Sequence, residues 1–559
     1  MRNAARWPCT LAIVWLAQAC VAVENEPRAA ERVRVATWNI WHGGREDGVE
    51  LGPQRVVEVL RESRADVIAL QETYGSGELI ADALGFQLLA RGTNVSLLTR
   101  HTIVADVSVF EPFKCVGALL ELPSGERLAV YSLWLPYDAE IWEAGTRPHG
   151  DRAALLAACA SSARDIELVL DAIDTRLAAD GLEHVPLVLA GDFNSMSHLD
   201  YTELALEQYG DVVEWPTSLA LAERGLRDAY RELHPHVERA RDRTWSPRFP
   251  AQEQDRIDFL HFRGALEPRE ARVIDTHAGG FPSDHAALTA EFELLERVDA
   301  PRELRVASYN IRHSRGLDGR VDLERTAQVL ARLDADLIAL QEVDLGVRRS
   351  AALNQPLELA RRLEQLTSQR YHASFGAFLS HDGGRYGMAL LSRRPVQRVR
   401  SVRLPDGNEP RVALAVDVLL EDATCVTAIG VHLDWVDDDT LRFAQAQALA
   451  EFVRELRHPW ILLGDFNDAP QSRTLTLLRA LGQEVEKLDA HGAPAVGVER
   501  FTFAADAPTH EIDYVLAGEP PNPRGAWDLR GGLRVLDEPL ASDHRPLLAR
   551  LIWRGAYLR

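Results

Sequence analysis

Five short motifs occur twice along this chain, in the same order, and the interval from Asn39 to Asn310 sets a period of 271 residues. They are Thr37-Trp-Asn-Ile40 and Ser308-Tyr-Asn-Ile311; Ala69-Leu-Gln-Glu72 and Ala339-Leu-Gln-Glu342; Gly191-Asp-Phe-Asn194 and Gly464-Asp-Phe-Asn467; Arg256-Ile-Asp-Phe259 and Glu511-Ile-Asp-Tyr514; and Ser283-Asp-His285 and Ser542-Asp-His544. A repeat of this length means one structural unit used twice. At 559 residues the chain also exceeds what a single hydrophobic core supports. Two domains are expected, residues 33–295 and 303–552, separated by a charged stretch that contains Pro301.

Within each copy the motifs sit behind apolar runs. Val33-Arg-Val-Ala-Thr37 and Leu304-Arg-Val-Ala-Ser308 read as strands, followed by helices with Val56, Val59 and Leu60, or Leu323, Leu330 and Leu333, at helical spacing. Asp66-Val-Ile-Ala-Leu70 and Asp336-Leu-Ile-Ala-Leu340 then deliver Gln-Glu at a strand end, and a long helix (residues 152–179; 440–456) precedes each Gly-Asp-Phe-Asn corner. Strands and helices interleaved in this way predict an α/β layered fold. An apolar content of 46% excludes a disordered or fibrous class. The formal net charge of −22 repels polyanions at long range and argues against a protein that coats nucleic acid non-specifically. Only Cys115, Cys159 and Cys425 lie in the body of the chain, too few and too scattered for a disulfide framework or a cysteine zinc site.

The order Asn, Gln-Glu, Gly-Asp-x-Asn, Ile-Asp, Ser-Asp-His resembles the endonuclease/exonuclease/phosphatase (DNase I-like) superfamily, over nearly all of both copies. That resemblance implies two tandem four-layer α/β sandwiches, each with two packed sheets flanked by helices. It also implies hydrolysis of phosphate esters with Mg2+ or Mn2+. Glu72 and Glu342 would be the principal metal ligands, with Asn39, Asn310, Asp284 and Asp543 beside the ion. Magnesium suits such a set because it takes few carboxylates and keeps several waters. Asp192 and Asp465 would orient the attacking water, and Asn194 and Asn467 would hold the phosphate. His285 and His544 would be paired with Asp258 and Asp513, acting as base or as phosphate stabiliser. The glycine before each Asp is expected to let the chain turn off its strand.

The copies also differ. Val431-His432-Leu433 matches the family's leaving-group acid, whereas the first copy has Leu133-Trp134-Leu135, and Arg411, a phosphate contact by resemblance, faces Lys114-Cys115. The second copy is therefore expected to be the active one. His149, and His198 in Ser197-His198-Leu199-Asp200, are candidate substrate contacts, and Gly383-Gly-Arg-Tyr-Gly387 reads as a flexible loop that brings Tyr386 to the phosphate pocket.

Residues 1–22 carry Arg2, Arg6, an apolar stretch and a small-residue site at Ala17-Gln18-Ala19, the pattern of a secretory signal. Cys20 lies in an imperfect lipoprotein box, a candidate lipid anchor. The expected location is extracytoplasmic. The partner is a phosphate-ester substrate, whether nucleic acid, lipid head group or small molecule, with no obligate protein partner evident. The competing reading is a tandem binding protein with one or both copies catalytically degenerate.

Overall fold

A computed structural model describes residues 31–295, 302–420, 424–521, 523 and 525–555; the signal and Cys20 lie outside these. The described chain forms four mixed sheets, two per copy, with helices on their outer faces. In the first copy one sheet runs Leu266–Ile274, Ala287–Leu294, Arg32–Asn39, Val67–Gln71, Val95–Thr99, Gln87–Arg91. The other runs Thr102–Asp106, Cys115–Glu121, Arg127–Trp134, Leu187–Asp192, Asp258–Arg263, Arg227–Asp228. The second copy repeats both orders, with Arg302–Asn310 beside Leu337–Leu345 and Cys425–His432 beside Trp460–Asp465, and adds a short strand, Leu533–Val535, against Leu547–Gly555.

Strand periodicity builds the layers. Val33 and Val35 point into the space between the sheets with Val67, Ala69, Val130, Val188 and Ala190, while Ala36 and Trp38 on the opposite face pack under the helix Leu51–Ser63 through Val56, Val59 and Leu60. The second copy does the same with Leu304 and Val306 inward and Ala307 and Tyr309 beneath the helix Leu323–Leu333. Asp322 caps that helix by accepting the Arg325 N–H at 3.0 Å. On the far side, Ile166, Val169, Leu170, Ile173 and Leu177 of the helix Ala160–Ala179 bury at helical spacing against the second sheet.

Three local expectations change. The long first-copy helix is two, Arg152–Ala158 and Ala160–Ala179, because Cys159 leaves the helical conformation between them. The expected loop at Gly383 to Gly387 is a strand from Gly384 onward; a Cβ on Gly387 would lie 2.0 Å from the Gly376 carbonyl, so its glycines serve close strand approach. Nor do Gly191 and Gly464 turn the chain. Both lie inside strands that continue to Asp192 and Asp465, and a Cβ there would sit 2.3 Å from the Leu133 carbonyl and 2.0 Å from that of Val431. Among the described residues no helix is long and apolar enough to cross a membrane.

Candidate active site

Each copy gathers its motifs at one end of the two-sheet sandwich. The first sheet supplies Asn39, the last residue of Arg32–Asn39, and Glu72, immediately after Val67–Gln71. On the second sheet, Asp192 and Asp258 face each other directly across an antiparallel pair, as do Asp465 and Asp513. The loops before Ala287–Leu294 and Leu547–Gly555 add Asp284 with His285 and Asp543 with His544.

Asparagine ties the two sheets together. Asn39 Nδ2 donates to Glu72 Oε1 at 3.2 Å and to Asp192 Oδ2 at 3.0 Å; Asn310 Nδ2 donates to Glu342 Oε1 at 3.0 Å and to Asp465 Oδ2 at 3.2 Å. Ser283 and Ser542 hydroxyls donate to the Asn39 and Asn310 carbonyls, both at 2.7 Å, which fixes the histidine loops to the first sheet. Glu72, Glu342, Asn194 and Asn467 all hold positive φ, between 45° and 58°. Left-handed backbone costs a non-glycine residue about 1 kcal/mol or more, and its recurrence at matched positions marks geometry imposed by the site. The turn after each strand is made here, where the Asn194 and Asn467 N–H groups donate to Asp192 and Asp465 Oδ1, each at 3.0 Å.

His285 Nδ1 donates to Asp258 Oδ2 at 3.0 Å and its Nε2 lies 3.9 Å from Asp192 Oδ2; the corresponding distances for His544, to Asp513 and Asp465, are 3.0 and 3.5 Å. Burial alone would lower these imidazole pKa values, but the flanking carboxylates overcome it and raise both to about 10. Asp192 and Asp465 are pushed up to about 7, mainly by burial; the facing histidine opposes this and the neighbouring Asp258 or Asp513 adds to it. The hydroxyls of Thr244 and Thr502 accept the Asp258 and Asp513 N–H groups at 3.1 and 3.3 Å.

The carboxylates fit a divalent cation in one of two places. The trio Asp192, Asp258 and His285, like Asp465, Asp513 and His544, has ligand atoms within 4.8 Å of one another. Its imidazole, however, already donates to Asp258 and faces Asp192, a positive charge lodged among the carboxylates. At the other place burial raises the Asp284 pKa to about 6; His285 opposes the rise and the Glu72 charge adds to it. A pair of like-charged carboxylates beside the Asn39 amide is the donor set that magnesium would take. In the second copy Arg312 Nε approaches Asp543 Oδ2 at 3.3 Å; its counterpart in the first copy is Trp41, since each backbone N–H donates to the preceding motif asparagine, at 3.1 and 3.0 Å.

The sheet register settles which residues correspond around the phosphate. Trp134 is opposite Asp192 and His432 is opposite Asp465, so the two occupy one position. Cys115 pairs with Leu133, and Leu414 with Gly430. Extending each register puts Arg411 in the place of Phe113, not of Lys114 or Cys115. Arg411 is 1% exposed, its Nε and Nη1 lack hydrogen-bond partners, and its guanidinium lies 5.2 Å from the Phe378 ring. His432 is kept neutral, its pKa well below the usual histidine value, first by burial and then by the Arg411 and His544 charges. Tyr386 joins this wall, with the Arg349 guanidinium 4.9 Å from its ring and Arg349 held in turn by Asp344 at 2.8 and 2.9 Å.

Neither extra histidine reaches a cleft. His198 is buried in a seam between the copies, its Nδ1 2.7 Å from Ser218 Oγ and its Nε2 donating to the Gln397 carbonyl at 2.7 Å. Asp200 beside it accepts from both Arg231 and Arg256, the latter at 2.8 and 3.0 Å. That buried charged network is structural, and it explains why the first copy's Ile-Asp motif is preceded by arginine. His149 is exposed, 3.3 Å from Glu253.

Comparison with known proteins gives the same twofold division. The model of the endonuclease/exonuclease/phosphatase family matches residues 36–285 and again 307–544. An uncharacterised Caenorhabditis elegans protein is 29% identical over 291 residues, 47% of this chain and 92% of that protein. Among solved structures, an endonuclease/exonuclease/phosphatase from Beutenbergia cavernae is 24% identical, covering 46% of this chain and 72% of its own with a TM-score of 0.37. The mannosyl-6-phosphatase of Bacteroides thetaiotaomicron is 18% identical, covering 44% and 99% with a TM-score of 0.34.

Proposed function

Because the chain belongs to the endonuclease/exonuclease/phosphatase family, we propose that it is a divalent-metal-dependent phosphoesterase in which the second domain does most of the hydrolysis. The observation that carries this reading is the asparagine bridge. Asn310 joins Glu342 on one sheet to Asp465 on the other, and His544 closes the far side of Asp465. A cation ligand, a water-orienting carboxylate and a charge-stabilising imidazole are thereby held within one cleft.

Mg2+ or Mn2+ at Glu342, with Asn310 and Asp543, would neutralise and polarise the phosphoryl oxygens. Asp465 accepts a hydrogen bond from the attacking water and aims it at phosphorus. His544 has one ring N–H committed to Asp513 and the other nitrogen facing Asp465, so it acts as an imidazolium that stabilises charge gathering on the phosphoryl oxygens. The unpartnered Arg411 nitrogens offer donors to another of those oxygens, and Asn467 lines the same wall. His432, neutral before substrate enters, would first take up a proton from solvent once the phosphate charge offsets that of Arg411, and would then pass it to the leaving oxygen.

The first domain keeps the same core without Arg411 and His432. That favours a second reading for this copy alone, binding with slow turnover. On residues 1–22 we place the protein outside the cytoplasm, with Cys20 as a candidate lipid anchor. Hydrolysis of bis-p-nitrophenyl phosphate with and without chelator tests the main reading. Turnover that chelator leaves intact, or no turnover by the folded chain, would defeat it.

A further inference from the structure

The two clefts share their floor and differ in their walls, and two of the differences exchange a cationic or titratable side chain for an aromatic ring. At three matched places the second domain presents Tyr386, Arg411 and His432. The register of the first domain substitutes Thr93, Phe113 and Trp134, because Leu70 pairs with Ser96 as Leu340 pairs with Ala389. Trp134 stands one strand from Asp192, in the same row and on the same inner face. Strands are about 4.8 Å apart, so its indole borders the reacting group.

Phe113 is 39% exposed and meets Trp134 edge to face, with centroids 5.6 Å apart at 85°. Such a pair leaves one ring face free to take a further flat ring at ordinary stacking distance. Tyr137, 43% exposed, follows from the same strand end. Across the cleft Trp41 donates its backbone N–H to Asn39, and its ring meets Phe249 at 5.8 Å and 87°. The cations nearby are already engaged: Lys114 with Asp165 at 2.8 Å and Glu111 at 3.0 Å, Arg248 with Asp47 at 3.0 Å. Where the second domain has Arg411 and His432, the first offers the Phe113 and Trp134 rings.

We infer that the first domain takes a phosphate ester whose organic group carries a flat aromatic ring, as a nucleobase does, and stacks that ring on Trp134 and Phe113. This rests on the phosphoesterase reading above and adds the substrate class for one of its two sites. Trp134 is a specificity residue here: it touches the ring beside the phosphate and contributes through binding.

The test uses the full chain with its second site silenced by Asp465→Asn. Two phosphodiesters share one sugar and one activated, non-aromatic leaving group: thymidine 5′-(2,2,2-trifluoroethyl phosphate) and the analogue with a methoxy group in place of the base. Fluorine NMR follows both. The thymidine ester should have a kcat/KM at least about fivefold higher, the lower range for stacking one base on an aromatic side chain. Trp134→Ala should erase that preference through KM while the abasic ester changes less than about twofold, and Trp134→Phe should retain it. A ratio near one, or a preference that survives Trp134→Ala in a chain that melts normally, would overturn the inference.

If neither ester is cleaved, hydrolysis by the first site is what fails, and equilibrium binding decides the ring. Thymidine 5′-monophosphate with Mg2+ should bind at least about fivefold more weakly after Trp134→Ala. Binding indifferent to that change overturns the proposal.

Discussion

The two active-site clefts are the same device at the bottom and different devices at the rim. Asparagine bridge, facing aspartates, paired histidine and strained glutamate all recur, and the asparagine bonds agree within 0.2 Å, for example 3.2 and 3.0 Å at the asparagine-glutamate contact. Above that floor, Phe113 and Trp134 replace Arg411 and His432, and Trp41 replaces Arg312. A duplicated unit can therefore keep its reaction core while its recognition wall changes, because the asparagine bridge ties the core to both sheets. The exchange of Arg312 for Trp41 has an electrostatic side as well. It leaves Glu72 and Asp284 without a guanidinium, so the first cleft is the more acidic cation site even though it lacks the leaving-group histidine.

The comparison breaks most sharply at His544. His544→Ala removes an imidazolium that stabilises the transition state rather than the ground state, so kcat for an alkyl phosphodiester should fall at least about 100-fold with little change in KM. The histidine pKa near 10 adds a sign: the imidazolium exists below that pH and is lost above it, so activity should fall on the alkaline side near pH 10. That limb belongs to the His544–Asp513–Asp465 group as a unit. A variant that keeps more than half the activity of the intact chain would remove His544 from the mechanism.

Next in size is the exchange of walls. His432→Trp gives the second cleft the first cleft's residue and takes away the side chain proposed to protonate the leaving oxygen. Hydrolysis of an alkyl diester should drop roughly 10- to 100-fold, while an activated aryl ester, whose leaving group needs little protonation, should lose under about threefold. Equal losses on both esters would mean that His432 shapes the pocket and does not transfer a proton.

Much of this was legible in the sequence, and the limits have physical causes. The duplication, the layered α/β fold and the floor of each site follow from motifs whose spacing is set by strand ends, and the structure brings every one of those residues together. The walls were harder. Trp134 aligns with His432 by plain counting from Leu135 and Leu433. Arg411 lies 21 residues before His432, as Phe113 lies 21 before Trp134, so counting pairs them as well, but neither sits in a repeated motif that draws attention to the position. His198 failed for another reason: a histidine beside serine and aspartate looks polar and exposed, and nothing local reveals that the seam between two domains will bury it. Thr244 stands in a first-copy stretch, Thr244-Trp-Ser-Pro247, whose residue types do not disclose its role, since a hydroxyl that accepts backbone N–H groups is defined by where two loops meet.

A smaller effect sharpens the cation assignment. Glu342→Gln preserves size and removes the carboxylate charge, so the midpoint of a Mg2+ titration should move up by about tenfold, the scale of losing a well-placed ligand interaction. Activity should return in part at high metal. An unchanged midpoint would instead point to the trio Asp465, Asp513 and His544 as the place the ion sits.

The smallest expected effect is the most direct test of unequal labour. At the Mg2+ concentration that just saturates the unmodified protein, Glu342→Gln should abolish most hydrolysis of an alkyl phosphodiester by the intact chain. Glu72→Gln should change it by less than about threefold, a difference under roughly 1 kcal/mol in the barrier. The reason lies in the walls: without His432 the first cleft has no donor for a poor leaving group, so disabling its cation site removes little from the total. Trp134 can stack, but its indole N–H is not a proton that transfers in catalysis. The gap between the two variants should narrow on activated esters and on substrates that carry an aromatic ring, where the first cleft competes. If Glu72→Gln is the more damaging change on the alkyl ester, with both variants folded by thermal melting, the ranking of the domains reverses. The more acidic site formed by Glu72 and Asp284 would then matter more than the missing acid, and the first cleft would be the principal enzyme.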